Sequence, residues 1–226
     1  MTLYTVATPI GNLSDITFRA VEILKKVDLI VAEDTRHAGI LMRKYNIQTY
    51  LESFHAHSGP AKLEKLIEML RSGKDLALIS DAGTPGISDP GFVLIRAARE
   101  EGTQVIPIPG PSAFLAALQA SGLPTDKFLY LGFLPLKKGR QKLLAELAEE
   151  DRTVVFYESP HRILKTLSQI AEIMEDRYIT VARELTKIYE EFLSGTAEEI
   201  LDHFKEKKPK GEFVIILAPK NFKKQK

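Results

Sequence analysis

The sequence predicts an α/β protein made of two α/β domains, and three observations support this. Short apolar runs typical of buried strands alternate with amphipathic segments at helical spacing. The chain has 226 residues, a length that suits one large domain or two small ones. A Pro- and Gly-containing stretch at 121–125 interrupts the alternation near the middle. We therefore predict an N-terminal domain over 1–120 and a C-terminal domain with a basic tail over 121–226, each with a mostly parallel sheet covered by helices.

The first half begins with a short apolar run that ends in a Pro/Gly/Asn loop, which is typical of a strand. In segment 61–71 the apolar residues recur at helical spacing, and Ser112 is a residue type that caps helices. The predicted strands are Leu3–Ala7, Leu29–Ala32, Tyr50–Ser53, Leu76–Ser80 and Val105–Ile108. The predicted helices are Thr17–Lys26, His37–Tyr45, 61–71, Phe92–Glu101 and Ser112–Ala120.

The second half repeats this alternation. Its most regular helix places Ile163, Leu167, Ile170 and Met174 on one face. The predicted strands are Phe128–Leu131, Thr153–Tyr157, Ile179–Ala182, Glu190–Ser194 and Phe213–Leu217. The predicted helices are Gln141–Glu149, Arg162–Met174 and Ala197–Lys205.

Composition and charge exclude several classes of protein. The chain has no cysteine, which rules out disulfides, thiolate metal sites, Fe–S clusters and cysteine nucleophiles. The net charge of +1 rules out a protein that is positively charged throughout. The segment Lys205–Lys226 is locally basic, with eight lysines and two glutamates, which fits either a solvated tail or a contact with a polyanion. The N-terminus does not read as a secretory signal, and prolines make the uncharged run Thr103–Thr125 unsuitable as a membrane span. We therefore expect no membrane contact and a cytoplasmic location.

Three unusual loops follow predicted strands, at 8–12, 80–91 and 107–112. In α/β proteins, ligands bind beyond the carboxyl ends of the strands. Loop 80–91 has three glycines and two prolines in twelve residues, which allows close backbone approach and holds the loop rigid. Each loop alone is consistent with a tight turn, but three at corresponding strand ends favour a ligand pocket.

Common fingerprints are absent and charged clusters are present. The sequence has no G-x-G-x-x-G, P-loop, H-E-x-x-H or G-x-S-x-G pattern. His55 and His57 have no third ligand in view, so we predict no metal site. Polar clusters follow strands at 32–36, 157–162 and 183–187, and a basic turn lies at 137–140. These clusters fit either surface ion pairs and a solvated turn or a charged substrate.

Seven segments carry a family resemblance and cover nearly the whole chain: TPIGNLSDITFRA at 8–20, AEDTRHAGIL at 32–41, SDAGTPGISDPG at 80–91, PGPSA at 109–113, GFLP at 132–135, YESPHR at 157–162 and RELTK at 183–187. Together they resemble the tetrapyrrole-methylase-like superfamily of S-adenosylmethionine (SAM) methyltransferases. Within it, SDAGTPGISDPG and YESPHR are similar to the branch that methylates the 2′-hydroxyl of a cytidine in 16S rRNA, and they separate the chain from porphyrin and corrin methylases.

The resemblance implies SAM as cofactor, folded into a cleft between two α/β domains, in a homodimer acting on 16S rRNA in the small ribosomal subunit. The SAM-binding residues that it implies are Pro9, Ile10, Gly83, Thr84, Pro85, Ile87, Ser88, Ser112, Ala113, Phe133 and Tyr157. The substrate-facing residues that it implies are Glu33, Asp34, Arg36, Arg162, Arg183, Glu184 and Lys187. Some members of this branch continue into a small helical region, whereas this chain stops in a lysine-rich tail.

The implied chemistry suggests individual roles. A ribose hydroxyl is a weak nucleophile at neutral pH, so we expect a nearby base or cation. Glu184 is the first candidate base, and Lys187 or Arg183 lowers the pKa of the hydroxyl or steers phosphate. The alternatives are a structural ion pair among the same residues and catalysis by positioning alone. Phosphate contacts are expected from the basic tail and from Lys137, Lys138 and Arg140. No metal is required.

Three functions therefore stay open on sequence grounds. The first is an RNA ribose methyltransferase. The second is a SAM-dependent methylase of a small tetrapyrrole, which needs a wide apolar trough that the charged clusters do not favour. The third is a non-catalytic RNA- or ribosome-binding protein that keeps SAM as a structural ligand, which the full set of loops does not favour.

Overall fold

The computed structural model describes residues 1–205 and 209–223. The chain divides into two compact units, Met1–Ser112 and Ala113–Lys226. The boundary predicted from sequence follows residue 120, so the helix Ala113–Ala120 falls in the second unit rather than the first. Part of the predicted basic tail, at 206–208 and 224–226, lies outside the described residues.

The first unit is a parallel α/β sheet. Its strands are β1 (Thr2–Val6), β2 (Leu29–Ala32), β3 (Leu51–Ser53), β4 (Leu76–Ile79) and β5 (Gln104–Ile108). Its helices are α1 (Phe18–Lys26), α2 (Thr35–Lys44), α3 (Pro60–Arg71) and α4 (Phe92–Glu100). The strand order is β3-β2-β4-β1-β5, and every described pair is parallel. The prediction of a parallel sheet is confirmed for this unit, with element ends within two residues.

Hydrophobic cores cover both faces of this sheet. Successive side chains of a strand point to opposite faces, and β4 accordingly places Ala77 and Ile79 in one core and Leu76 and Leu78 in the other. The helices begin at side-chain caps where the sequence offers them. For example, Thr17 Oγ1 accepts a hydrogen bond from the Ala20 amide at the start of α1. A sheet buried on both faces presents its carboxyl edge for ligand binding.

The second unit contains α5 (Ala113–Ala120), β6 (Phe128–Phe133), α6 (Arg140–Ala148), β7 (Thr153–Glu158), α7 (Ile163–Met174), β8 (Tyr178–Arg183), β9 (Glu191–Thr196), α8 (Ala197–Lys205) and β10 (Phe213–Leu217). The strand order is β6-β7-β10-β8-β9. The predicted helix face on α7 is confirmed, because Ile163, Leu167, Ile170 and Met174 are all buried in one core. The helix α5 lies against β7 and β10, which places it in this unit.

The prediction of a mostly parallel sheet is wrong for the second unit. Only β6 and β7 pair in parallel, whereas β10 runs antiparallel to both β7 and β8, and β8 runs antiparallel to β9. The antiparallel pairing of β8 with β9 follows from the short connection between these two strands. The segment 184–190 is too short for the crossover that parallel neighbours require, so β9 returns beside β8. Across residues 1–205 and 209–223, no helix is long and apolar enough to span a membrane.

Candidate active site

The three Gly/Pro-rich loops of the first unit meet at the carboxyl edge of its sheet. The loops after β1 and β4 are joined by a pair of backbone hydrogen bonds, from the Thr8 amide to the Gly83 carbonyl (2.9 Å) and from the Gly83 amide to the Thr8 carbonyl (3.0 Å). Thr84 Oγ1 donates to the Pro111 carbonyl at 3.2 Å, which ties in the loop after β5. The structure thus brings together three segments that are far apart in sequence.

Glycine is required at two of these contacts. Gly83 has φ +80°, a conformation that side chains with a Cβ rarely adopt. A Cβ on Gly110 would lie 3.1 Å from the Ala7 Cβ and 3.4 Å from its carbonyl oxygen. The loop after β5 therefore packs closely against the end of β1 because residue 110 has no side chain.

The long loop after β4 is held from inside by Asp89. Its carboxylate accepts hydrogen bonds from the amides of Gly86 (2.5 Å) and Gly91 (2.6 Å). Burial raises the pKa of Asp89, and these backbone hydrogen bonds oppose that shift. Ile87 and Ser88 at the tip stay exposed, and Ser88 has φ +58°, which is uncommon for a non-glycine residue. The loop is a preorganised turn that presents a small, partly apolar surface.

Of the other predicted SAM-binding residues in this unit, Pro9, Ile10 and Pro85 are buried, as is Ser112. The Ile10 side chain lies beside Gly83, because its Cγ2 is 3.5 Å from where a Cβ on that glycine would sit. These buried residues support the backbone of the loops.

A second feature of the same edge is a group of carboxylates around Glu33. Burial raises the pKa of Glu33, the charges of Asp81 and Asp89 raise it further, and His55 opposes the shift. Asp81 also accepts a hydrogen bond from the Asp34 amide at 3.0 Å. Glu33 is a predicted substrate-facing residue, whereas its acidic neighbours Asp81 and Asp89 were not predicted to be near it, because they come from the loop after β4. Burial and the neighbouring carboxylates therefore favour the protonated form of Glu33 more than in an isolated glutamate.

Asp34 and Arg36 bind to each other at the start of α2. Asp34 caps the helix by accepting from the Arg36 amide at 2.8 Å, and its carboxylate also pairs with the Arg36 guanidinium at 2.6 Å. The hydrogen bond from that guanidinium lowers the pKa of Asp34. Asp34 therefore has a capping role, while the side chain of Arg36 is 90% exposed and accessible to an anion.

The predicted SAM-binding residues of the second unit lie in or beside a row of aromatic rings. Tyr157 contacts Phe133 and Tyr130, with ring centroids 5.5 and 5.6 Å apart, and Tyr130 in turn contacts Phe114 at 4.4 Å. Burial raises the pKa of Tyr157, and Tyr130 raises it further. Phe133 is 55% exposed, so this row ends in an accessible ring. Ala113 opens α5 and directly precedes Phe114.

The basic turn and the YESPHR segment are joined in a buried group that we call the Glu158 cluster: Arg140, Glu158, Arg162 and Thr166. Glu158 pairs with Arg162 Nε at 2.6 Å and with Arg140 at 3.5 Å, and it accepts from Thr166 Oγ1 at 2.6 Å. Arg140 also donates to Thr166 and to the Gln169 side chain. Arg140 is only 5% exposed.

This placement argues against the predicted phosphate contact of Arg140. Its guanidinium is buried and used within the protein, so we assign it a structural role. Arg162 is also largely engaged, since it donates to the Leu134 carbonyl at 3.1 Å as well as pairing with Glu158. Lys137 and Lys138 are exposed on the same turn and stay candidates for phosphate contact.

The candidate catalytic residues lie at the end of β8 and in the loop that follows. Lys187 Nζ donates to Glu184 Oε1 at 2.8 Å and to Glu212 Oε2 at 2.9 Å. Partial burial opposes ionisation of Glu184, but hydrogen bonds from Lys187 and the Glu212 amide outweigh it and lower its pKa. Burial likewise opposes the charge on Lys187, yet its two carboxylate partners raise its pKa. Arg183 donates to the Lys210 carbonyl at 2.7 Å and to Glu191 at 3.2 Å.

The backbone of this loop is strained at two residues. Glu184 has φ +51° and Thr186 φ +66°, and such backbone conformations persist where the surroundings enforce them. Gly211 packs so closely on the Glu184 side chain that a Cβ there would overlap it. The arrangement holds an ionised carboxylate against a charged ammonium, which makes Glu184 a weaker base than the sequence suggests. Glu212 is a member of this group that the sequence analysis did not identify, because it lies far along the chain.

The sequence matches a known protein family. A family model described as tetrapyrrole (corrin/porphyrin) methylases matches residues 2–201. The chain belongs to this family. It is 51% identical over 218 residues to ribosomal RNA small subunit methyltransferase I of Synechocystis sp., an alignment that covers 96% of this chain and 78% of that protein. It is 47% identical to the protein of the same name from Thermotoga maritima, covering 96% of this chain and 98% of that one.

A solved structure shares the fold at much lower identity. A cobalamin biosynthetic enzyme, cobalt precorrin-4 methyltransferase, superposes with a TM-score of 0.72 at 17% identity, covering 96% of this chain and 94% of that chain. The predicted α/β fold class of this family is therefore confirmed. The family and its rRNA-methylating relatives use SAM, so the chain is a SAM-dependent methyltransferase.

Proposed function

We propose that this protein transfers a methyl group from SAM to the ribose 2′-hydroxyl of a cytidine in 16S rRNA, and that it acts as a cytoplasmic homodimer on the small ribosomal subunit. The observation that supports this substrate is the identity of about half of all residues, over 96% of the chain, with ribosomal RNA small subunit methyltransferase I. Tetrapyrrole methylation is less favoured, because a structural neighbour from that chemistry, cobalt precorrin-4 methyltransferase, is only 17% identical.

The loops of the first unit fit a ligand such as SAM. The Thr8–Gly83 backbone pair joins the loops after β1 and β4, and the residues Ile87 and Ser88 at the tip of the second loop are exposed. Polar backbone suits the amino-acid and adenine edges of SAM, and the small apolar surface suits its rings. We propose that these loops hold SAM with Thr84 and Ser112, and that Ala113, Phe133 and Tyr157 of the second unit also contact it. When bound, SAM supplies an electrophilic methyl group.

Lys187 is the side chain best suited to assist the hydroxyl. Its ammonium stays charged because Glu184 and Glu212 raise its pKa, so it can stabilise the negative charge that develops on the ribose oxygen. We propose that the hydroxyl proton passes to solvent water as the oxygen gains the methyl group from the sulfonium. We propose that Glu184 positions this ammonium through the 2.8 Å hydrogen bond. In the alternative, Glu184 itself accepts the hydroxyl proton. We propose that Arg183 steers a phosphate. Positioning of the reactants contributes the larger share of the rate, up to roughly 7–11 kcal/mol.

We propose that the substrate contacts exposed cations and a carboxyl group that can form hydrogen bonds. Arg36, Lys137 and Lys138 are exposed cations that suit RNA phosphates. Glu33 has a raised pKa and suits a hydrogen bond to a base or hydroxyl. Arg162 is the partly exposed member of the Glu158 cluster, while Asp34 supports the position of Arg36.

The decisive experiment maps the labelled atom. Purified small ribosomal subunits are incubated with the protein and tritiated SAM, and the RNA is then digested and sequenced around the labelled nucleotide. We expect the label on a cytidine ribose, with the adjacent phosphodiester resistant to alkali because its 2′-oxygen is blocked. Naked 16S rRNA serves as the parallel substrate. Label on a base, or label on an added porphyrin and not on RNA, would contradict the proposal.

Substitution of Glu184 tests the proposed catalytic group. We expect Glu184→Gln to reduce turnover by between about tenfold and about 100-fold, while SAM affinity, measured by calorimetry, stays within about twofold. A loss of about 100-fold or more points to the alternative in which Glu184 itself accepts the proton. Glu146→Gln, an exposed carboxylate of the same unit, is the control. Unchanged turnover in Glu184→Gln would remove Glu184 from the mechanism.

A further inference from the structure

A cavity of about 480 Å³ lies at the amino edge of the first sheet. It is bordered by the last turn of α1, by Asn46 just beyond the end of α2, and by the residues that precede β2 and β3. The candidate SAM loops follow the carboxyl ends of the strands, so this cavity is on the opposite edge of the same sheet. A four-residue strand such as β2 separates the two edges by roughly 13 Å at a rise of about 3.3 Å per residue.

The side chains around this cavity are available for binding. Tyr50 is 83% exposed although it is a large aromatic residue directly before a strand. Asn46 and Gln48 are exposed amides, and Lys25 is an exposed cation. Within residues 1–205 and 209–223, none of these four side chains has a hydrogen-bond or ion-pair partner. Thr49 is different, because its hydroxyl donates to the Leu24 carbonyl at 2.6 Å and fixes the wall of the cavity.

The two helices that end here concentrate positive charge. Their last turns carry Lys25 and Lys26 in α1 and Arg43 and Lys44 in α2. All four are exposed, and none forms an ion pair within the described part of the chain. One carboxylate, Asp28, also lines the cavity and accepts a hydrogen bond from the Asp75 amide at 2.8 Å. The four cations outnumber it, and in a chain with a net charge of only +1 they form a local excess of positive charge.

Stabilisation of the helix dipole is the simplest structural reason for cations at helix ends. Arg99 in the last turn of α4 serves that purpose equally and has no exposed aromatic residue beside it in the sequence. The dipole therefore does not account for the exposed tyrosine, the two amides and the cavity that occur together at the ends of α1 and α2.

We propose that this cavity binds one unpaired nucleotide of an RNA strand, with the base stacked on Tyr50 and its phosphates held by Lys25 and the neighbouring cations. An exposed aromatic ring within a positively charged surface is the combination that binds single-stranded nucleic acid. The amides of Asn46 and Gln48 offer both donors and acceptors to the edge of a base. The inference rests on the proposed function, because RNA is the substrate that brings such a strand to the protein.

The test measures binding of a fluorescein-labelled single-stranded RNA of about twelve nucleotides by anisotropy, using the full chain. We expect Tyr50→Ala to weaken binding about fivefold or more, since stacking on one aromatic residue contributes about 1–3 kcal/mol. Tyr50→Phe keeps the ring and is expected to stay within twofold of the wild type. The double variant Lys25→Gln/Lys44→Gln is expected to reduce the slope of log Kd against log salt by about 1.4. Arg99→Gln is the matched control and leaves affinity and slope unchanged.

The same variants are then assayed with small ribosomal subunits. Because the cavity is away from the candidate SAM loops, Tyr50→Ala should raise KM for the subunit while kcat and SAM affinity stay near wild type. Wild-type methylation of RNA with unchanged binding and KM in Tyr50→Ala would overturn this inference alone. A Tyr50-dependent RNA affinity in a protein that labels no RNA would overturn the proposed function and keep the cavity as an RNA site. A change in oligomeric state without a change in RNA affinity would identify a protein interface and overturn the inference.

Discussion

Replacement of Glu158 by glutamine should destabilise the second unit strongly. The Glu158 side chain is 0% exposed and pairs with two guanidinium groups, that of Arg162 at 2.6 Å and that of Arg140 at 3.5 Å. The Arg140 side chain is itself only 6% exposed. Removing one partner of a buried ion pair costs about 3–5 kcal/mol, because the other charge is left buried without compensation. Glutamine keeps one acceptor oxygen for Thr166, so we expect a loss of about 3 kcal/mol.

Urea denaturation followed by circular dichroism measures this loss. With a slope of about 2 kcal/mol per molar urea, the midpoint should fall by about 1.5 M. The control is Glu146→Gln, which breaks an exposed pair with Lys142 (side chains 60% and 84% exposed) and should cost no more than about 0.5 kcal/mol. Adding Arg140→Met to Glu158→Gln should recover part of the loss, since it removes an unpaired charge. A loss below about 1 kcal/mol, or no recovery in the double variant, would refute the argument.

Two further predictions concern the loops and the response to acid. Gly83→Ala should weaken SAM binding measured by calorimetry and lower the free energy of unfolding by about 1–2 kcal/mol, because residue 83 has φ +80° within the contact to Thr8. The control is Gly102→Ala, at φ +72° with open space around it, which should lower stability by a similar amount and leave SAM affinity unchanged. Equal SAM affinities in the two variants would contradict the loop assignment. The Arg152 guanidinium lowers the pKa of Glu150 from 4.5 to about 2, so this carboxylate stabilises the folded state above pH 4.5 and the contribution is lost as pH falls toward 2. Glu150→Gln should therefore flatten the loss of stability between pH 4.5 and 2 in an acid titration, and an unchanged titration would show that the pair contributes nothing.

Local pattern in the sequence was enough to predict the elements and the fold class. The spacing of Ile163, Leu167, Ile170 and Met174 predicts the buried face of α7, and the structure buries all four. The glycines and prolines of loop 80–91 predict a rigid turn, and the positive φ at Gly83 and Gly86 shows why those residues are needed. These features depend on residues close together in the chain, so periodicity and residue type are enough to predict them.

Only the tertiary structure shows the strand directions in the second sheet and the partners of the charged side chains. β10 lies between β7 and β8 although it comes last in the chain, and no local pattern specifies that position. Local pattern also fails to predict the surroundings of Arg140, which lies on a basic turn in the sequence but is buried against Glu158 in the fold. It equally fails for Glu184, whose pKa is lowered by Lys187 and by the amide of Glu212. Whether a charge faces solvent, a ligand or another buried charge depends on groups distant in sequence. The sequence therefore determined which chemical groups this protein has and the local structure that holds them, while tertiary packing decided which of them are available to act.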